Sequence, residues 1–179
     1  MRLLTVCGSL RFRSSNAALL EAFRRVLPAT VATEAFAGLG DLPHFNPDLD
    51  TEPLPAPVVL WRRAVERADA LVISTPEYAH ALPGSFKNAL DWLVSGTEAL
   101  SKPVAILHVA RGTTWALDSL REVLKTMSAR IVDAACVSLP LGSNQTDVET
   151  ILARPELRMA LLSSAESLAE ALGQPLGKR

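Results

Sequence analysis

Only two cysteines, Cys7 and Cys136, occur in the 179 residues, and each lies in an apolar, strand-like run. So few cysteines exclude a disulfide-stapled scaffold, and both thiols are expected to act as small buried hydrophobes in a reducing cytoplasm, a catalytic thiol being the other use of such a residue. Histidine is equally sparse: three residues stand far apart in the chain, with no Cys/His cluster at metal-ligand spacing, so a metal enzyme is not expected. No apolar run approaches the roughly 20 residues needed to cross a bilayer. The start of the chain lacks a basic region followed by a long apolar core, so a secretory signal is not expected. An excess of one charge is missing as well. The 18 Lys and Arg against 19 Asp and Glu leave a net charge of -1, which gives no electrostatic reason to expect nucleic acid or an anionic membrane as a partner.

The composition is 49% hydrophobic and 21% charged, which fits one compact domain over residues 1–179 with a frayed tail over 173–179. No repeat or low-complexity segment interrupts it. The chain is organised around the turn after its first apolar run, Cys7-Gly8-Ser9-Leu10-Arg11-Phe12-Arg13-Ser14-Ser15-Asn16. An apolar entry (Leu3, Leu4, Val6) precedes it, and an amphipathic run carrying Leu19, Leu20, Phe23, Val26 and Leu27 follows, which reads as strand, polar turn, helix. A turn ending at a helix N-terminus points free N–H groups and the positive end of the helix dipole at one place. Hydroxyls from Ser9, Ser14 and Ser15, the Asn16 amide and the forked Arg11 guanidinium turn that place into a nest suited to a terminal phosphate. Simple capping by Ser14, Ser15 or Asn16 is the alternative, and it accounts for one of the five residues. The spacing matches neither the dinucleotide Gly-x-Gly-x-x-Gly nor the Gly-x-x-x-x-Gly-Lys-Ser/Thr of triphosphatases.

Gly-Ser-Leu-Arg-x-x-Ser-x-Asn, as it stands from Gly8 to Asn16, resembles the phosphate loop of the NAD(P)H-dependent FMN reductase family, which includes quinone, azo-dye and chromate reductases. Further along, Val31 to Phe36 reads as a second strand. Gly38 to Pro57 then holds five prolines and two glycines, a long irregular connection that is either functional or a packed surface loop. Val58 to Arg67 has helical spacing with apolar Val59, Leu60 and Ala64, and Ala70 to Ser74 reads as a central parallel strand covered on both faces. The next turn, Thr75 to Gly84, opens a helix over Ser85 to Val94. Phe86, Leu90, Leu93 and Val94 form its inward stripe, and Trp92 lies off that stripe, marking a second contact surface and hence a homodimer or homotetramer.

Pro-Glu-Tyr-x-x-x-x-Pro-Gly-x-x-Lys-Asn-Ala-x-Asp-Trp, from Pro76 to Trp92, resembles the same family and is the more specific of the two motifs. The resemblance implies that Pro76, Glu77, Tyr78, Ala79 and His80 line a flavin ring and that the following helix packs against a second subunit. Two prolines also suit this loop to lie as a wall against a flat ring. Glu77 is expected to bond backbone amides and shape the loop. His80 is either a loosely bonded loop residue or a neighbour of the flavin. Where the family usually has asparagine after the tyrosine, this chain has Ala79.

Val104 to Val109, with His108 near its end, reads as the fourth strand, and the turn Ala110 to Trp115 leads into a helix with Leu117, Leu120, Leu124 and Met127 at core positions. Related reductases carry a glycine-rich loop here that gives backbone amides to the flavin. Only Gly112 is kept, with Thr113 beside it, and bulky Trp115 either stacks on a ring or blocks it. Ile131 to Leu139 reads as the fifth strand, Gly142 to Gln145 as a turn, and Thr146-Asp147-Val148-Glu149 as a capping box before a last helical region carrying Leu157, Leu161, Ala165, Leu168 and Leu172.

Alternating strands and helices argue for a parallel sheet with helices on both faces, and the resemblance implies a flavodoxin-like five-stranded order 2-1-3-4-5. The turns after strands one, three and four then meet at one edge. A phosphate nest beside a proline-bounded wall fits FMN, and the resemblance implies an oxidoreductase in which NADPH or NADH reduces bound FMN, which then reduces a small-molecule acceptor: quinone, azo compound, chromate or free flavin. An electron-transfer flavoprotein and an FMN-poor binding or regulatory module are the alternatives.

Overall fold

The computed structural model describes residues 1–142 and 146–176. Strand β1 (Arg2–Cys7) leads to helix α1 (Ser15–Val26), then β2 (Ala32–Phe36), α2 (Ala56–Arg67), β3 (Ala70–Ser74), α3 (Gly84–Asp91), β4 (Pro103–Val109) and α4 (Trp115–Thr126). Two short strands, β5 (Arg130–Ile131) and β6 (Val137–Leu139), and two helices, α5 (Val148–Leu152) and α6 (Pro155–Ala171), complete the order. All pairings in the sheet are parallel, in the order β2-β1-β3-β4-β5, with β6 also paired to β4. This is the flavodoxin-like arrangement.

Alternation along the strands divides the core into two layers. Leu4, Val6, Leu71, Ile73, Val104 and Ile106 face α2, α3 and α4, while Leu3, Ala70, Val72, Ala105 and Leu107 face α1 and α6. β3 is buried at every position, as expected of a central strand with helices on both faces.

The expected fifth strand, Ile131 to Leu139, is broken into β5 and β6 by a 3-10 turn at Asp133–Ala135. The break remains hydrogen-bonded. Ile106 N–H donates to Cys136 Sγ at 3.4 Å where a ladder carbonyl would stand, and Ser164 Oγ donates to Ala135 O at 2.5 Å. Both cysteines are half-buried rather than fully buried. In α2 the buried face is Val58, Trp61 and Val65, one position away from the expected Val59, Leu60 and Ala64, and Leu60 is exposed. The large indole of Trp61 sets the rotation, packing 4.6 Å from the Phe36 ring and donating Nε1–H to Ala89 O at 2.7 Å.

Trp92 contradicts the expected second contact surface. It is 0% exposed, its Nε1–H donates to Pro43 O at 2.8 Å, and its ring meets Phe45 edge-on at 5.1 Å. It lies off the α3 stripe because it packs the long connection rather than a partner. Asn88 fixes the same connection, accepting from Phe45 N–H at 2.7 Å and donating to Pro43 O at 3.0 Å. Arg62 clamps it further by an ion pair with Asp50 at 2.8 Å. Gly38 to Pro57 is therefore a packed loop. The capping box is also corrected: Asp147, not Thr146, caps α5, accepting from Thr150 N–H at 2.8 Å, while Thr146 Oγ1 donates to Leu141 O. The expected turn at 142–145 and the end of the expected frayed tail fall largely outside the described residues.

Candidate functional site

Because the sheet is parallel, the turns after β1, β3 and β4 emerge at the same edge, where strand order reverses between β1 and β3. They enclose one cleft. Ser9, Arg11, Ser14, Ser15 and Asn16 line it from the first turn, Thr75, Pro76, Glu77 and Tyr78 from the second, and His108, Val109, Arg111, Thr113 and Ala116 from the third.

The first wall is built by close backbone approach. Gly8 N–H donates to Ser74 O at 2.9 Å, and a Cβ on Gly8 would lie 2.1 Å from Thr75 Oγ1. Only glycine lets β1 leave the sheet this near the β3 turn. Ser74 Oγ donates to Asn16 Oδ1 at 2.9 Å inside the protein, which fixes the orientation of the Asn16 amide. Ser14 caps α1, its Oγ accepting from Ala17 N–H at 3.3 Å, and Ser9 Oγ accepts from Arg11 N–H at 3.2 Å. Both capping and cleft-lining roles are therefore present in one turn. A serine hydroxyl that accepts from the backbone still has its own proton to donate. Cys7 sits behind the turn, and burial pushes its thiol pKa up, which makes it a weak nucleophile.

Glu77 ties the second and third turns together. Its Oε2 accepts from Ala116 N–H at 3.0 Å and its Oε1 from Thr113 Oγ1 at 2.7 Å. Those two bonds, the amide first, hold its pKa below the ordinary carboxylate value. This is the loop-shaping role expected of it, and it fills the first turn of α4 with negative charge. Tyr78 to Ala81 folds back on itself, with Tyr78 N–H donating to Ala81 O and Ala81 N–H to Tyr78 O, both at 3.0 Å. Ala79 and His80 take φ of +49° and +59° in that turn, a region where asparagine and glycine are preferred. The asparagine usual after this tyrosine thus has a conformational rationale, and Ala79 occupies the position with strain.

Three expected site residues stand outside the cleft lining: Ala79, His80 and Gly112. Ala79 and His80 form the far side of the turn, and the His80 ring lies tilted by 30° to Trp115 with centroids 5.9 Å apart. Gly112 takes φ +88° in open space, supplying the bend of the third turn. Trp115 neither fills nor blocks the cleft. It is 59% exposed, lies outside the cleft lining and pairs with His80.

Sequence reasoning missed Thr75, His108, Val109, Arg111 and Ala116. Their common signal was position, at or just past the carboxyl end of a strand that feeds the same edge. His108 bonds Ser138 Oγ through Nδ1 at 3.0 Å, and burial pushes its pKa below the ordinary histidine value, partly offset by Glu77 and Asp118.

Fold and cleft define a flavodoxin-like α/β protein with a hydroxyl- and arginine-lined turn at a switch-point crevice. A family model described as NADPH-dependent FMN reductase matches residues 1–144, and the chain belongs to that family. It is an oxidoreductase with FMN as cofactor and NAD(P)H as electron donor. A quinone reductase of Escherichia coli strain K12 is 29% identical over 84% of this chain and 83% of its own. An NAD(P)H-dependent FMN reductase of Pseudomonas aeruginosa is 29% identical over 94% of this chain and 93% of its own. A quinone reductase of Pseudomonas putida strain KT2440 is 33% identical over 75% and 73%. Among solved structures, the flavoenzyme NAD(P)H:acceptor oxidoreductase of Paracoccus denitrificans superposes with a TM-score of 0.71 at 22% identity, covering 94% of this chain and 97% of that one. That likeness supports the fold. Among the described residues, no helix is long and apolar enough to cross a membrane.

Proposed function

We propose that this protein transfers two electrons from NAD(P)H to a quinone, with FMN held in the cleft between the β1, β3 and β4 turns. The net reaction is NAD(P)H + H⁺ + quinone → NAD(P)⁺ + hydroquinone. The observation that carries the reading is that the first turn's hydroxyl and arginine nest and the Pro76–Tyr78 segment line one cleft. The donor set fits a phosphate monoester: Ser9, Ser14 and Ser15 hydroxyls, the Asn16 amide fixed by Ser74, and Arg11, all beside the N-terminus of α1.

When bound, FMN supplies hydride acceptance and release, the chemistry no side chain here provides. The protein's share is placement. Pro76, lacking an N–H, and Tyr78 would offer a flat wall to the ring, and Glu77, bonded by Thr113 and Ala116, would hold the third turn in place beside it. Ala79, His80 and Gly112, outside the lining, act by shaping the two turns. Quinone is favoured among acceptors because relatives at 29% and 33% identity are named quinone reductases and because the cleft is lined by the exposed Tyr78 ring, with exposed Trp115 next to lining Ala116, faces on which a flat molecule stacks.

The proposal includes one domain over residues 1–179 and a cytoplasmic site of action, in keeping with two free thiols. It also includes a homodimer or homotetramer, which rests on family resemblance alone now that Trp92 is buried. Light scattering at a mass above the 19.2 kDa chain supports an oligomer, and a monomer refutes it. The function is tested anaerobically: NADPH or NADH bleaches the visible band of the purified yellow protein, and a quinone restores it. Bleaching without recovery on any quinone would refute the acceptor class.

A further inference from the structure

Arg111 opens the third turn and lines the cleft on the side away from Arg11. The family's loop at this place is glycine-rich, and nothing in phosphate binding at the first turn calls for a second arginine there. Among the cleft-lining residues Arg11 and Arg111 are cationic and Glu77 is the one carboxylate, its oxygens taken up by Ala116 N–H and Thr113 Oγ1. Tyr78 lines the cleft at 53% exposure, and exposed His80 and Trp115, each within two residues of a lining residue (Tyr78 and Ala116), pair with ring centroids 5.9 Å apart. Aromatic ring faces near a guanidinium bind a flat ring that bears negative charge.

We infer that Arg111, with the Tyr78, His80 and Trp115 rings, selects acceptors that are planar and anionic, such as ring systems carrying a carboxylate or a deprotonated hydroxyl. This deepens the quinone reading and rests on it for catalysis, though not for binding. Five donors on one guanidinium let Arg111 keep a protein contact while it meets an anion. The electron balance is unchanged: two electrons and one proton arrive from NAD(P)H as hydride, a second proton comes from solvent, and the carboxylate or oxyanion takes no part beyond binding.

The test uses the FMN-loaded protein and two probes that are not reduced, 2-naphthoate and its neutral amide, titrated calorimetrically. The parent is expected to prefer the naphthoate by about five- to tenfold, the preference shrinking as salt rises, and Arg111→Gln to bind both alike. Trp115→Ala weakens both probes together. In turnover, Arg111→Gln lowers kcat/KM for 2-hydroxy-1,4-naphthoquinone, an anion at neutral pH, several-fold more than for neutral 1,4-naphthoquinone. Equal affinity of the parent for both probes overturns the inference. So does an Arg111→Gln defect seen only as a changed NADPH-to-NADH ratio, which would assign Arg111 to the nucleotide phosphate. If no quinone is reduced by the parent, the functional reading falls, and the naphthoate titration still decides the anion site.

Discussion

Gly8→Ala is the sharpest probe of how the cleft is built. The added methyl would lie 2.1 Å from Thr75 Oγ1, 2.6 Å from Thr75 Cβ and 3.1 Å from Phe86 Cγ. Carbon atoms in contact ordinarily stand about 3.5–4.0 Å apart, so Thr75 must retreat by about 1 Å. Rotation of a side chain does not relieve this, because the Thr75 Cβ itself is in the way and Phe86 behind it is fully buried. Overpacking of this kind costs about 1–3 kcal/mol. At this chain length about 2 kcal/mol corresponds to a Tm lower by roughly 4–8 °C, read by calorimetry. The displacement also reaches the nest, since Gly8 N–H bonds Ser74 O and the Ser74 hydroxyl orients Asn16. FMN affinity, read by quenching of flavin fluorescence, is therefore expected to fall with the Tm. A variant with parental Tm and parental FMN affinity would refute this account of the β1–β3 junction.

Arg11→Ala is expected to raise the Kd for FMN by about five- to tenfold at low salt, and to leave riboflavin, which has no phosphate, unaffected; flavin titration of the apo-protein checks both. Glu77 has a folded pKa below its ordinary 4.5, so its bonds stabilise the protein above that pH and the contribution is lost as pH falls through the folded value. Glu77→Gln should accordingly lower Tm at pH 7 and converge on the parent in acid, as followed by circular dichroism. Ala79→Gly relieves the positive φ and should stabilise by about 0.5–1 kcal/mol, roughly 1–4 °C in Tm, with the parent's acceptor range kept.

The strands and the two turns that carry most of the candidate cleft were legible because they are local signals, whereas the sheet order came from the family resemblance. An apolar run followed by hydroxyls and an arginine marks a strand, a turn and a helix N-terminus without any long-range information, and Pro76-Glu77-Tyr78 follows a wholly apolar strand. Faces of helices were harder to read where a large aromatic decided them. Trp61 rotates α2 by finding Phe36 and the Ala89 carbonyl, and Trp92 turns inward to Pro43, partners distant in sequence. The break between β5 and β6 was hidden for a related reason. Cys136 sulfur takes the place of a ladder acceptor for Ile106, which no period-two pattern reveals. His108 and Arg111 were not legible because the third turn lacks the glycines usual there, and a strand-end histidine gains meaning only when Glu77 is brought near it from another turn.

The central claim, that the first turn holds the phosphate of FMN while the Pro76–Tyr78 segment lies along its ring, is tested most directly by a crystal structure of the protein grown with FMN. The phosphate is expected within hydrogen-bonding distance of Ser9, Arg11 and the start of α1, with the ring between Tyr78 and the third turn. A phosphate bound elsewhere, or a ring lying away from Pro76 and Tyr78, would contradict the account.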